Sequence, residues 1–458
     1  MKWASSISTQ PTIEQCIEET TSAIREQLEG LETHLTVLFV SPHFKGKYDL
    51  IPRMLSERMN AGLLLGCSAS GIIGGGREVE HKPAFSITCA HLPNVEIQTI
   101  QSDTLNLPDP GTANIWTTSL KKWRSGLVKY LGRFKILWGF KNKYDDEVPA
   151  MQSDTLNLPD PGTAASVWRE WLGVDVEKNP QFILMAEPLS FLRGNLKGTA
   201  FRGEEFLSGL DFAYPNAPKI GGLASGTNSP GGNALYLGDK IFNRGLVGVA
   251  LTGDIQLDTI VARGCHPIGK PMSITQCETT LLQQVDGKPV VEVFDEMIET
   301  LSESDRRQLK TALFLGIEMD PMKDDPGQGN FLIRNINHVK RISGALDISA
   351  ILRNGQRVQF HLRDKVMSAE DLNGMLSKYT EKGQSDQVQG ALLFSCLGRG
   401  EDLYGTPNHD SDVFKSKLGD VPLGGFFCNG EIGPVGKATF LHALTSSFGI
   451  FRPGRAQP

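Results

Sequence analysis

Short unbroken apolar runs recur along the chain: LTVLFVS at 35–41, QFILMAE at 181–187 and GALLFSC at 390–396. Their length and their β-branched and aromatic content predict strands rather than buried helices. Each run leads into a segment with helical spacing, clearest in DSDVFKSKLG, where Val413, Phe414 and Leu418 share a face. A second apolar run then ends in a pair of glycines: Gly66 and Gly71 in GCSASG, Gly221 and Gly226 in GGLASG, Gly425 and Gly430 in GFFCNG. A further strand follows each time, in PAFSITCAHL, GLVGVALTG and SSFGIF. Between the second and third units the pattern changes. KPVVEVFDEMIETLSESDRRQLKTALFLG predicts two helices, the second capped by Ser302 or Ser304. NFLIRNINHV, GALDISAILRNG and RVQFHLRD predict a strand meander with a hairpin turn at Asn354-Gly355. MSAEDLNGMLSKY returns to helix, with Ser368 and Asp371 as its N-terminal cap signature. The pattern as a whole predicts an α/β (α+β) protein of two lobes, in which repeated strand-helix-strand-strand units form mixed sheets with outer helices.

Glycines at strand exits permit left-handed backbone and close approach of a neighbour or a ligand. One reading is three tight turns. The other follows from the recurring small polar tips, which carry Ser68 and Ser225: loops gathered at one end of a sheet, where α/β proteins bind ligands.

Composition narrows the class. A chain of 458 residues exceeds what one core usually organises, so two domains are expected. A net charge of −6 provides no general attraction to nucleic acid or to anionic membranes. The N-terminus lacks the apolar core of a signal peptide, and no run approaches the ~20 apolar residues of a membrane span. Seven scattered cysteines, none in a C-x-x-C pair, fit free thiols in a reducing cytoplasm better than disulfides or a zinc site. No cofactor motif is present: G-x-G-x-x-G is missing, and GEIGPVGKAT fails the spacing of a phosphate loop.

Several phrases, in order along nearly the whole chain, resemble the FIST family: AGLLLGCSASGIIGGGREVE, KIGGLASG, RGCHPIGKPMSIT, NFLIRNIN, GQRVQFHLRD, LLFSCLGRG and VPLGGFFCNGEIGPVG. Residues 1–30 are expected to form a helical lead-in. The resemblance implies an N-terminal FIST domain, placed at 31–255, and a C-terminal FIST domain, placed at 256–445. It also implies a sensory role in signal transduction, with a small ligand such as an amino acid and a downstream signalling partner.

The second-half motifs carry their own chemistry. Arg399, between two glycines after a strand, suits bidentate recognition of a carboxylate. Glu431, after Asn429-Gly430, suits an ammonium group or pairs with Arg399, and a structural ion pair is the alternative. The ligand pocket is therefore expected around Cys396, Arg399, Asn429 and Glu431, with Ser68 and Ser225 from the first-half tips. Two other functions stand beside the sensor. One is a protein–protein adaptor. The other is an enzyme using Cys396 or Cys428, with His409, Asp410 and His442 at hand, although H-E-x-x-H and G-x-S-x-G are missing and cysteines at strand ends are mostly inert.

One segment stands apart. QSDTLNLPDPGTA at 101–113 recurs unchanged at 152–164, which marks a recent insertion flanked by a direct repeat. Between the copies, Trp116, Leu120, Trp123, Leu127, Leu131, Phe134 and Trp138 recur at steps of three and four, with basic residues elsewhere. This reads as a basic amphipathic helix for a membrane surface or partner, or as foreign sequence with accidental periodicity, leaving the domain at an exposed loop.

Overall fold

The computed structural model describes residues 1–102, 165–192, 202–229, 231–319, 331–340, 343–383 and 385–454. The inserted segment 114–151 and both repeat copies beyond Ser102 lie outside these residues. Two compact units emerge. One gathers Met1–Leu105, Asp154–Gly264 and Lys365–Pro458; the other contains Cys265–Asp364.

The first unit holds three six-stranded sheets of one topology. At the centre of each lies a parallel pair: Leu35–Val40 with Leu63–Ser68, Gln181–Ala186 with Lys219–Leu223, and Gly390–Cys396 with Leu423–Cys428. An antiparallel strand flanks the first member of each pair: Phe85–His91, Leu246–Gly253 and Ser446–Arg452. These are the recurring units read from the apolar runs. Every central strand is buried on both faces, which is why it reads as unbroken hydrophobic sequence.

The inner faces share one core, to which the sheets contribute Val37 and Phe39, Ile183 and Met185, and Leu392 and Phe394. The alternate residues Leu38, Leu184 and Leu393 face outward into three separate helix-covered cores. Helix Ile13–Leu28 covers the first sheet, Ala165–Leu172 and Arg202–Ala213 the second, and Lys365–Thr380 and His409–Leu418 the third.

The far edge of each sheet is a hairpin from a different repeat. Strand Leu63–Ser68 pairs with the hairpin Leu235–Leu237/Lys240–Phe242 of the second repeat. Lys219–Leu223 pairs with Glu431–Val435/Ala438–His442 of the third, and Leu423–Cys428 with Gly71–Gly74/Arg77–Glu80 of the first. The exchange is cyclic. Gly66, Gly221 and Gly425 occupy one equivalent position, opposite Leu38, Leu184 and Leu393. A Cβ at any of the three would collide with that leucine's carbonyl oxygen, so glycine is required three times for one reason.

Among the described residues, the strands of the second unit all pair antiparallel. Cys265–Glu278, Arg357–Arg363, Leu313–Glu318, Phe331–Val339, Leu346–Ile348 and Leu281–Val285 pair in that order, and the first and last also pair, closing a ring. Ser302 caps the helix Glu303–Ala312 by accepting from the Asp305 amide.

Three local expectations are corrected. Residues 1–30 are not helical throughout: Lys2–Ser8 is a strand on the edge of the first sheet, its alternation hidden by serines on a fully packed strand. Asn354-Gly355 makes a turn with Gly355 left-handed, but the strands on either side of it pair with others. Ser368 is no cap. Its helix starts at Lys365, and Asp371 accepts instead from the Arg263 amide.

Candidate functional site

The register of the three sheets allows a position-by-position comparison, and it shows where the third departs. Two residues beyond the outward leucines stand Val40, Ala186 and Ser395. Their antiparallel partners are Phe85, Leu246 and Ser446. On the exchanged hairpins, the outer strand places Ile241 and Leu441 where the third sheet has Glu78. The outer cores of the first two sheets are thus apolar at these places. In the third sheet all three positions have become polar, and the side chains over them are polar as well.

Arg399 leaves the end of the Gly390–Cys396 strand and is fully buried. Its Nε and Nη2 donate to Asp410 at 2.9 and 3.1 Å, and Nη1 reaches Ser368 Oγ at 3.4 Å. Asp410 lies in the first turn of helix His409–Leu418, where the helix dipole favours a carboxylate. It also accepts from Ser395 Oγ at 3.2 Å, from His409 Nδ1 at 3.0 Å and from Ser446 Oγ. Burial opposes its charge, but the Arg399 guanidinium and these donors hold Asp410 well below the usual carboxylate range. The His409 ring stacks on Tyr404 at 3.5 Å, and the Arg399 Cζ lies 5.5 Å from the Tyr404 ring centre.

Glu78 reaches this cluster from the exchanged hairpin. Its Oε1 accepts from the Ser411 amide at 2.7 Å and hydroxyl at 2.8 Å, while Oε2 is buried without a partner. Burial, reinforced by the negative charge of Asp410, pushes Glu78 up to about 8. A second buried carboxyl, Glu431, stands on the inner face of its sheet, where the other hairpins carry Ile72 and Leu235. Its Oε2 accepts from the Thr445 amide and hydroxyl, its Oε1 has no partner, and burial pushes it up to about 8.

Family comparison names the fold. The FIST N domain matches residues 34–288 and the FIST C domain residues 291–434. The chain belongs to the FIST family. Similar proteins include an uncharacterized protein of Mycobacterium tuberculosis H37Rv, 26 % identical over 446 residues and aligned over 97 % of this chain and 98 % of its own length. An uncharacterized protein of Mycobacterium bovis is 27 % identical over 97 % of both chains. An F-box/LRR-repeat protein of Arabidopsis thaliana is 26 % identical over 265 residues, half of this chain and 49 % of its own length. FIST domains are sensory domains. In this FIST protein the polar cluster combines Glu78 from the N domain match with Arg399 and Asp410 from the C domain match.

The residues expected at the site have separate fates. Arg399 is at the centre of the cluster, but its carboxylate partner is Asp410 rather than Glu431. Cys396 is half-buried, and burial, with the Glu431 charge second, pushes its thiol up to about 12. Ser68, Ser225 and Asn429 hold the three tips together. The Ser70 amide donates to Ser225 Oγ at 3.1 Å, Ser225 Oγ donates to the Phe427 carbonyl, and Asn429 Nδ2 donates to the Ala224 carbonyl at 3.1 Å. Ser68 Oγ donates to Asn233 at 3.3 Å and accepts from the Ala234 amide at 3.0 Å. The tips do gather, as expected, because each carries the chain from its own sheet to the next. Their polar groups, however, are spent on one another. Two clefts, of about 990 and 710 Å³, open at the opposite ends of the parallel strands, around Gln181, Tyr214 and Asp254 and around Asn60 and Leu64. Neither reaches Arg399, whose site is closed in this conformation.

Sequence reasoning missed Glu78, Ser395, Ser446 and the pairing role of Asp410. Aligning the three repeats on their glycines shows the Val40/Ala186/Ser395 contrast. The Glu78 contrast needs the hairpin exchange as well.

Proposed function

We propose that this protein senses a small metabolite, an amino acid or a related molecule, at the Arg399 cluster, and passes the signal to a partner protein. The observation that carries the reading is the internal contrast. Of three equivalent strand ends, one alone has exchanged apolar packing for Arg399, Asp410, Glu78, Ser395 and Ser446. Buried polar groups cost stability unless fully paired, so such a cluster is kept for something other than packing. In this reading a ligand carboxylate takes a place on Arg399 beside Asp410, and a ligand ammonium draws the Glu78 carboxyl into its ionised form, so the two groups suit the ends of a zwitterion. The Arabidopsis relative, of which about half matches this chain and whose name includes F-box and LRR-repeat parts, supports output through other proteins. The reading includes no catalytic cysteine, because the Cys396 and Cys428 thiols are both raised by burial and so are poor nucleophiles near neutral pH. It places the protein in the cytoplasm, a location that seven free thiols support. Among the described residues no helix is long and apolar enough to cross a membrane.

The test is a thermal-shift screen of the twenty amino acids and related metabolites. A ligand present at 100 times its Kd adds about 2.7 kcal/mol. Arg399→Met should abolish the shift. A screen in which no compound moves the wild-type transition overturns the reading, and so does binding that Arg399→Met leaves intact.

A further inference from the structure

Beside its flanking antiparallel strand, each sheet of the first unit has an outer edge strand: Lys2–Ser8, Val95–Ser102 and Gln256–Ala262. The first and third are sealed, with no exposed residue in either. Gln27 of helix Ile13–Leu28 bonds both outward backbone groups of Ser5, accepting from its amide at 3.1 Å and donating to its carbonyl at 3.2 Å. From helix Lys365–Thr380, Tyr379 donates to Asp258 at 2.9 Å and Asp371 accepts from the Arg263 amide at 2.6 Å. The second edge is open, and Glu96, Gln98 and Thr99 on it are exposed. Strand Leu246–Gly253 uses only every second residue of this edge. The Asp254 amide donates to the Asn94 carbonyl at 3.0 Å, and the alternation from that pair leaves the amides and carbonyls of Val95, Ile97, Thr99 and Gln101 on the free side. Among the described residues these groups take one hydrogen bond, from Gln98 Nε2 to the Thr99 carbonyl at 3.5 Å. The cleft of about 990 Å³ opens where the edge begins, at Asn94 and Glu96. Its charged lining residues are Glu96, Glu177 and Asp254 against Lys178, and Lys178 is already paired with Glu96 at 2.6 Å.

We propose that Val95–Ser102 is the docking edge for an extended segment of a partner protein, which adds a strand to this sheet and places a lysine or arginine in the cleft on Glu177 and Asp254. Unpaired strand edges recruit other strands, and a protein that does not use them covers them, as the other two sheets do. Backbone bonds to the four outward residues supply attraction without regard to sequence, and alternate side chains supply the choice of partner. Val95 and Ile97 pack against the central core, whereas Glu96 and Gln98 face water. A strand paired beside them therefore alternates, with its apolar residues on the Val95 and Ile97 face. Charge fixes the chemistry of its end. Among the described residues Glu177 and Asp254 have no ion pair, both are exposed, and together they attract a cation and repel an acidic segment.

The edge is the partner surface that the sensing reading calls for and rests on that reading for its purpose, but its test uses no metabolite, so either can fail alone. Random twelve-residue peptides displayed on phage are selected on the full-length chain, and the enriched peptides are synthesised and titrated by fluorescence anisotropy. They should alternate apolar and polar residues and carry lysine or arginine at one end. Methylating the peptide amides on the pairing side should abolish binding. Thr99→Pro removes an outward amide that the sheet itself does not use, so the fold should survive and the peptides should no longer bind. Glu177→Lys with Asp254→Lys, both at exposed positions, should weaken binding about tenfold. A selection that enriches nothing overturns the proposal, and so do peptides that bind both variants as tightly as the wild type. If Thr99→Pro fails to fold, amide methylation and the double lysine variant decide, and binding indifferent to both overturns the proposal. A wild-type dimer in gel filtration that Thr99→Pro dissociates would assign the edge to a second copy of the chain and overturn it equally.

Discussion

Asp410→Ala is the most informative single perturbation. It removes at once the acceptor for Arg399 Nε and Nη2, Ser395, Ser446 and His409. Arg399 is fully buried, so its charge has no water to turn to. Removing one partner of a buried ion pair costs about 3–5 kcal/mol. The unit contains about 300 residues. At ~2.1 cal/mol/K per residue its unfolding entropy is about 600 cal/mol/K, so the loss lowers Tm by about 5–8 °C. Removing the charge together with its partner tests the cause. Arg399→Met with Asp410→Leu leaves no stranded ion and should recover most of the loss, since apolar replacement of a buried pair is often neutral or stabilising. Differential scanning calorimetry of the wild type, both single variants and the double variant completes the cycle. An Asp410→Ala protein melting within about 2 °C of wild type would refute the argument. A double variant no more stable than the worse single one would do so equally.

Gly66→Ala, Gly221→Ala and Gly425→Ala should each cost about 3 kcal/mol or more, because each drives a Cβ into a leucine carbonyl of the parallel partner. Gly46→Ala, in open space, should stay within about 0.5 kcal/mol, so equal melting temperatures for all four would count against the close-packing account. Glu78 and Glu431 keep protons in the fold that the unfolded chain releases near 4.5, so stability should fall as pH rises from about 4.5 to about 8 and level off above. A melting temperature that is flat or rising across that window contradicts both assignments. Deleting residues 101–151 joins the strand Val95–Ser102, which ends inside the first repeat copy, to the helix Ala165–Leu172, which begins directly after the second. The shortened protein should fold with unchanged or higher stability, and loss of the cooperative transition would show that the insert belongs to the domain.

The sequence by itself determined the elements and their threefold recurrence. Strands buried on both faces must be apolar throughout, and a position where one backbone meets another must be glycine, so LTVLFVS, QFILMAE and GALLFSC with their glycine tips were legible without coordinates. Arg399 was legible too, as a guanidinium at a strand exit. The tertiary structure decided which groups meet. Register and hairpin exchange bring Glu78 to Asp410 across more than three hundred residues, and no local pattern encodes a pairing between strands so far apart. The same exchange turned Ser68, Ser225 and Asn429 from apparent ligand contacts into ties between repeats, because tips that cross must satisfy one another's buried backbone groups. A composition of polar tips does not say whether those groups face a ligand or each other. Only the path of the chain through space does.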